Sequence, residues 1–207
     1  MLNMESVSGQ IKKQIIEGEE GKIYFVSDFN FTGNEDLVKK VLFRLEKTGI
    51  LIRISHGIYL YPVRDVKLGI MYPSMESIAQ AIAMRDKADI MPTGALALNL
   101  LGISTQVQMN AVYITNGSPR KIKIGKKKII FKKAAQKNFQ FKSRVMPLVV
   151  FSLKELGQDR INQQIISQIE KALSNRTEIK LYREDVSLVP TWMKKIISQI
   201  LNEMAHE

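Results

Sequence analysis

NEDLVKKVLFRLEKTGILIRISHGIYLYP, residues 34–62, decides how the first part of the chain is read. Its first half repeats with helical period: at about 100° per residue, Leu37, Val38, Val41, Leu42 and Leu45 fall within one arc. Asp36, Lys39, Lys40, Phe43 and Lys47 occupy the opposite arc, with Arg44 on its border. Asn34 or Thr32 can cap this helix by accepting from an early backbone N–H, and Gly49 ends it after Thr48. The pattern then changes. ILIRISHGIYLYP reads as two short strands around a tight turn at Ser55-His56-Gly57, closed by Pro62.

Upstream, SVSGQIKKQIIE (6–17) places Val7, Ile11, Ile15 and Ile16 at helical spacing, and GEEG at 18–21 ends that helix. IYFVSDF follows as a short apolar run, where Ser27 and Asp28 are N-cap types for a second short helix. Three helices and then a hairpin are the element order of a winged helix-turn-helix. A helix with a core stripe and a basic opposite face suits entry into a major groove. Lys39, Lys40, Phe43, Arg44 and Lys47 are therefore candidate DNA contacts on the helix. Arg53, Ser55 and His56 join them at the hairpin tip, within reach of the minor groove or backbone phosphates. His56 fits equally well as a polar turn residue, and Phe43 as a side chain packed on the hairpin.

The reading divides the chain into residues 1–68 and 69–207, an α+β protein whose N-terminal winged helix-turn-helix precedes an α+β domain. Residues 63–73 read as a linker or connecting strand, and Ser74 caps a helix over SMESIAQAIAMRDK. Thr93 is the expected N-cap of a buried helix that stops at Gly102. NAVYIT, RKIKI and KKIIFKK follow as strands, with turns at Asn116-Gly117 and Gly125-Lys126, giving an antiparallel basic hairpin. Along RKIKI, Lys121 and Lys123 share one face and Ile122 and Ile124 the other. Arg120, Lys126, Lys127, Lys128, Lys132 and Lys133 extend this basic surface. Phe139 and Phe141, set among Lys137, Lys142 and Arg144, could stack on unpaired bases, although their spacing favours the inner face of a strand. VMPLVVFSL (145–153) resembles a buried strand. Helices over 162–173 and 191–204 carry apolar stripes, the latter from Trp192, Met193, Ile196, Ile197, Ile200 and Leu201, read as core.

Charge is distributed unevenly. The net charge is +11, yet residues 90–154 hold twelve Lys/Arg and no Asp/Glu, so the excess lies there. A localised field of that sign suits a phosphate backbone or an anionic surface. Other classes are disfavoured. Cysteine is absent and only His56 and His206 are present, which removes thiolate chemistry and makes a zinc site improbable. The sequence holds no GxxxxGK[ST], GxGxxG, HExxH or GxSxG motif. A non-enzymatic, cytoplasmic protein without cofactor, metal or membrane partner is expected, since the first residues lack a signal-peptide pattern and no apolar run spans a bilayer.

The order of segments resembles the antitoxin half of AbiE-type toxin–antitoxin systems, the type IV abortive-infection class. The resemblance rests on SHGIYLYP (55–62), ESIAQAIA (76–83), MPTGALALNLLGISTQV (91–107) and VYITNGSPRKIKIGKKKIIFKKA (112–134). It implies a DNA-binding antitoxin that represses its own promoter through the N-terminal domain, on inverted repeats. Its functional partner would be a nucleotidyltransferase-like toxin, countered without a stable complex. The residues themselves leave two other readings open: a stand-alone winged-helix regulator, and an RNA-binding protein acting through the basic hairpin.

Overall fold

The computed structural model describes residues 6–206 and shows a mixed α and β protein. Contacts divide it into two units, one running through Ala81 and including Lys123–Gly125, the other taking Ile82–Ile122 and Lys126 onward. The division falls beyond the 68/69 boundary drawn on the sequence, inside a helix.

In the first unit, α1 (Val7–Ile16) starts where the Ser6 hydroxyl accepts from the Gly9 N–H at 3.2 Å. It buries Ile11 and Ile15. Strand β1 (Ile23–Phe25) leads into a 3-10 helix over Val26–Thr32, and then into α2 (Glu35–Lys47). Asn34 caps α2, its Oδ1 accepting from the Leu37 N–H at 3.0 Å. The other expected cap differs: Asp28 sits inside the 3-10 turn, and its carboxylate reaches back to the Phe25 N–H at 2.8 Å. A carboxylate in that place still satisfies a donor that the helix leaves orphaned.

Strands β2 (Ile52–Ser55) and β3 (Ile58–Leu60) form the hairpin, and β1 pairs with the other edge of β3, so the sheet order is β1-β3-β2. All pairings are antiparallel, with Ile23 and Ile52 both opposite Leu60. Between Arg53 and Ser55 the register slips by one residue, a bulge that bends β2 toward the turn. Gly57, at φ +69°, supplies the left-handed conformation that closes it. The core joins α1, the 3-10 turn, α2 and the sheet through Ile11, Tyr24, Phe29, Val41, Leu42 and Tyr59. Residues 63–73 are not a plain linker: β4 (Val63–Asp65) and β5 (Gly69–Met71) form an exposed two-stranded hairpin. Helix α3 (Met75–Arg85) follows, with the Ser77 N–H donating to the Ser74 hydroxyl at 2.9 Å.

The second unit holds most of a four-stranded sheet of β6 (Ile90–Pro92), β7 (Asn110–Thr115), β8 (Arg120–Ile124) and β9 (Lys127–Lys133), Lys123 and Ile124 of β8 being grouped with the first unit. Its order, β6-β7-β9-β8, departs from the simple succession that the sequence suggested, because β9 lies parallel to β7 and pushes β8 to the edge. The side chains explain the exchange. Strand β9 carries the buried Ile129 and Phe131 and takes the interior place, where Phe131 stacks on Tyr113 with centroids 5.9 Å apart. The alternating lysines of β8 suit an edge, where charge discourages further pairing.

Two other expectations change. Thr93 does not cap the following helix; its hydroxyl and N–H both turn to the Val112 carbonyl, and Gly94 precedes α4 (Ala95–Leu100). That helix is only partly covered, with Ala97 its sole buried residue. VMPLVVFSL is not a strand but the start of α5 (Met146–Leu156). A continuous apolar run has no period to separate the two states, and Pro147 in the first helical turn, where no N–H is needed, favours the helix. Phe139 ends a 3-10 turn rather than lying in a strand, and Phe141 packs on the helical core.

That core gathers α5, α6 (Gln163–Ala172), α7 (Ile179–Asp185) and α8 (Thr191–His206). Met193, Ile197, Ile200 and Leu201 are buried in it, with Trp192 and Ile196 partly buried against it, as their stripe implied. Glu184 and Asp185 close α7. Asp185 is buried and accepts from the Lys142 and Ser143 N–H groups at 2.7 and 2.9 Å, while Glu184 pairs with the Lys142 ammonium at 2.6 Å. The Ser143 hydroxyl then accepts from the Met146 N–H at 3.0 Å and starts α5. Among the described residues, no helix is long and apolar enough to cross a membrane.

Candidate nucleic-acid interface

Helix α2 is built with two opposed faces. Val38, Val41, Leu42 and Leu45 are buried, which turns Lys39, Lys40, Phe43, Arg44 and Lys47 outward, and all five are exposed. The five occupy successive turns of one surface, as spacings of three and four require. Lys39 is partly neutralised, since its ammonium lies 2.7 Å from Glu35 and 3.7 Å from Asp36. The hydrogen bond to Glu35 also holds that ammonium above the ordinary lysine value. Lys40, Arg44 and Lys47 have no carboxylate partner in any ion pair of the described residues. Phe43 is half exposed rather than packed on the hairpin, and the Lys47 ammonium lies 5.3 Å from its ring centre.

The hairpin after α2 places Arg53 and His56 at its exposed end, with Ser55 half-buried between them. The Arg53 Nη2 lies 3.0 Å from the His56 Nδ1, so the two rigidify each other across the turn. The Arg53–Ser55 bulge bends this tip away from the regular sheet.

Along β8, β9 and the turn between them the basic residues are not equivalent. Lys121, Lys123, Lys126, Lys127, Lys128, Lys132 and Lys133 are exposed. Ile122 and Ile124 are half-buried, the alternation that the sequence implied. Arg120 does not belong with the free cations: its guanidinium pairs with Asp86 and lies 5.6 Å over the Phe131 ring. Desolvation there, with the nearby Arg85, pulls its pKa below the ordinary arginine value. Lys133 is tethered by donating to the Asn116 carbonyl. The sequence shows these lysines as one run. Only the fold separates the tethered ones from those facing solvent.

A cavity of about 420 Å³ in the second unit, between the β6–α4 turn, β7, β9 and α5, has no counterpart among the motifs read from sequence. Its lining comes from four stretches separated in sequence, so no local spacing announces it. No group of three His, Cys, Asp or Glu suited to hold a metal ion occurs among the described residues.

No curated protein matches the chain. The sequence profile of DUF6088, described as a family of unknown function, matches residues 10–181. That span runs from within α1 into α7 and takes in most of both units, and the chain belongs to the DUF6088 family.

Proposed function

We propose that this protein is a double-stranded-DNA-binding antitoxin that represses its own promoter, reading DNA through the first unit as a winged helix-turn-helix. One observation carries the DNA reading: α2 presents Lys40, Phe43, Arg44 and Lys47 on a single exposed face. The β1-β3-β2 sheet and the α1-β1-turn-α2-β2-β3 order support it, because they are the order in which such domains build a recognition helix and wing. Lys40, Arg44 and Lys47 supply phosphate affinity, Phe43 an apolar contact such as a thymine methyl accepts, and Arg53 with His56 the wing contact. The antitoxin role rests on the sequence resemblance, with a nucleotidyltransferase-like toxin as its functional partner.

Fluorescence anisotropy tests the DNA part, using the duplex upstream of the gene, a scrambled duplex and a structured RNA. The upstream duplex should bind tightest; Lys40→Ala/Arg44→Ala should weaken binding to both duplexes alike, whereas Phe43→Ala should erode the preference. Equal weak binding to all three ligands would refute the repressor reading. Co-expression with the neighbouring gene tests the antitoxin part, which fails if no growth defect is relieved. RNA binding is a second reading, favoured by the exposed Lys121, Lys123 and Lys126–Lys128. It predicts that Lys126→Glu/Lys127→Glu/Lys128→Glu abolishes binding to the RNA.

A further inference from the structure

The cavity of about 420 Å³ lies wholly within the second unit and is independent of the α2 face. Asn110 on β7 and Lys132 on β9 face it from the side of the sheet opposite the buried Ala111, Tyr113, Ile129 and Phe131. Lys154 and Glu155 enter from α5, and Gln108 from the loop before β7. Gly94 forms another part of the wall at φ +60° and ψ −140°, a conformation open to glycine. A Cβ there would meet the Glu155 carboxylate at 3.3 Å, so the absent side chain leaves this wall clear.

The charges of the wall are not balanced internally. Lys132, Lys154 and Glu155 take part in none of the ion pairs of the described residues. Lys137 adds a further cation near Lys154, and desolvation together with that charge draws the Lys154 ammonium below the ordinary lysine value. The lining therefore carries two ammonium groups against one carboxylate, with a third ammonium close by. A singly charged carboxylate would leave this excess only partly neutralised. A phosphate monoester, at about −1.5 to −2 near neutral pH, matches it. The volume falls within the roughly 300–1,000 Å³ range of small-molecule sites and exceeds what inorganic phosphate fills. The carboxamides of Gln108 and Asn110 each offer a donor and an acceptor, the pairing that a nucleobase edge presents.

We propose that this cavity binds a mononucleotide-sized phosphate ester, with Lys132 and Lys154 on the phosphate and Gln108 and Asn110 on the base. Isothermal titration of the full chain with AMP, GMP, CMP, UMP, adenosine and inorganic phosphate tests it. Saturable one-to-one binding of at least one mononucleotide is expected, with weaker binding of inorganic phosphate and none of adenosine. Lys132→Ala and Lys154→Ala should each weaken binding about ten- to a hundredfold, the loss of one hydrogen bond to a charged group. Glu155→Gln, which removes the opposing charge, should tighten it. Lys126→Ala/Lys127→Ala, which removes basic charge from the β8–β9 turn and from the opposite sheet face, should leave it unchanged. The proposal is overturned if no mononucleotide binds, if both cavity lysine variants bind as tightly as wild type, or if the Lys126/Lys127 variant loses as much as they do.

Discussion

Salt dependence of DNA binding separates the two basic surfaces of this chain. On the first unit, Lys40, Arg44 and Lys47 are exposed and pair with no carboxylate among the described residues, and Arg53 stands at the hairpin tip. Lys39 is already engaged by Glu35 and Asp36 and releases little counterion on binding. If these four cations each neutralise one phosphate, log K falls with log salt at a slope of about −3.6 per protomer. Between 50 and 200 mM salt, affinity should drop roughly 150-fold. Should Lys121, Lys123, Lys126, Lys127, Lys128 and Lys132 also contact the duplex, the slope steepens to about −9. Fluorescence anisotropy over a salt series measures it, with stoichiometry fixed by sedimentation. Lys40→Ala should flatten the slope by about one, on every duplex sequence alike. A slope shallower than about −1, or one that Lys40→Ala and Lys47→Ala leave unchanged, would refute the use of the α2 face.

Three further outcomes concern the scaffold. Asp185→Ala strips the acceptor from the Lys142 and Ser143 N–H groups and should cost about 3–5 kcal/mol in urea unfolding, with Asp185→Asn in between. A loss below about 1 kcal/mol would show that water replaces the carboxylate. Asn34→Ala removes the α2 cap and should cost about 1 kcal/mol of thermal stability, whereas Asn34→Asp retains it. Burial pushes the Tyr182 phenol up to about 12 from 10.0. The unfolded chain then loses its proton first, so stability should hold below pH 10 and fall as pH rises from 10 through 12. Urea midpoints across that range measure the effect, and Tyr182→Phe should reduce the slope.

The chain alone determined those features whose physics is local. The stripe of Val38, Val41, Leu42 and Leu45 fixes a helix with one buried face, and so identifies Lys40, Phe43, Arg44 and Lys47 as outward before any tertiary contact is known. Asn34 at its start and Gly49 after its end act within one turn. Alternation along Arg120–Ile124 likewise assigns two faces without naming a neighbour. Tertiary structure decided whatever depends on residues distant in sequence. Strand β9 displaced β8 to the edge because burial of Ile129 and Phe131 outweighs succession along the chain. Met146–Leu156 became a helix because its apolar run has no period, leaving its Pro and its neighbours in the core to choose. Arg120 left the basic surface through Asp86, 34 positions away, and Asp185 became an internal acceptor for N–H groups more than 40 positions earlier. The cavity has the same origin: its lysines, carboxylate and amides are scattered from Gln108 to Glu155, and only the packing of α5 beside the sheet makes them neighbours.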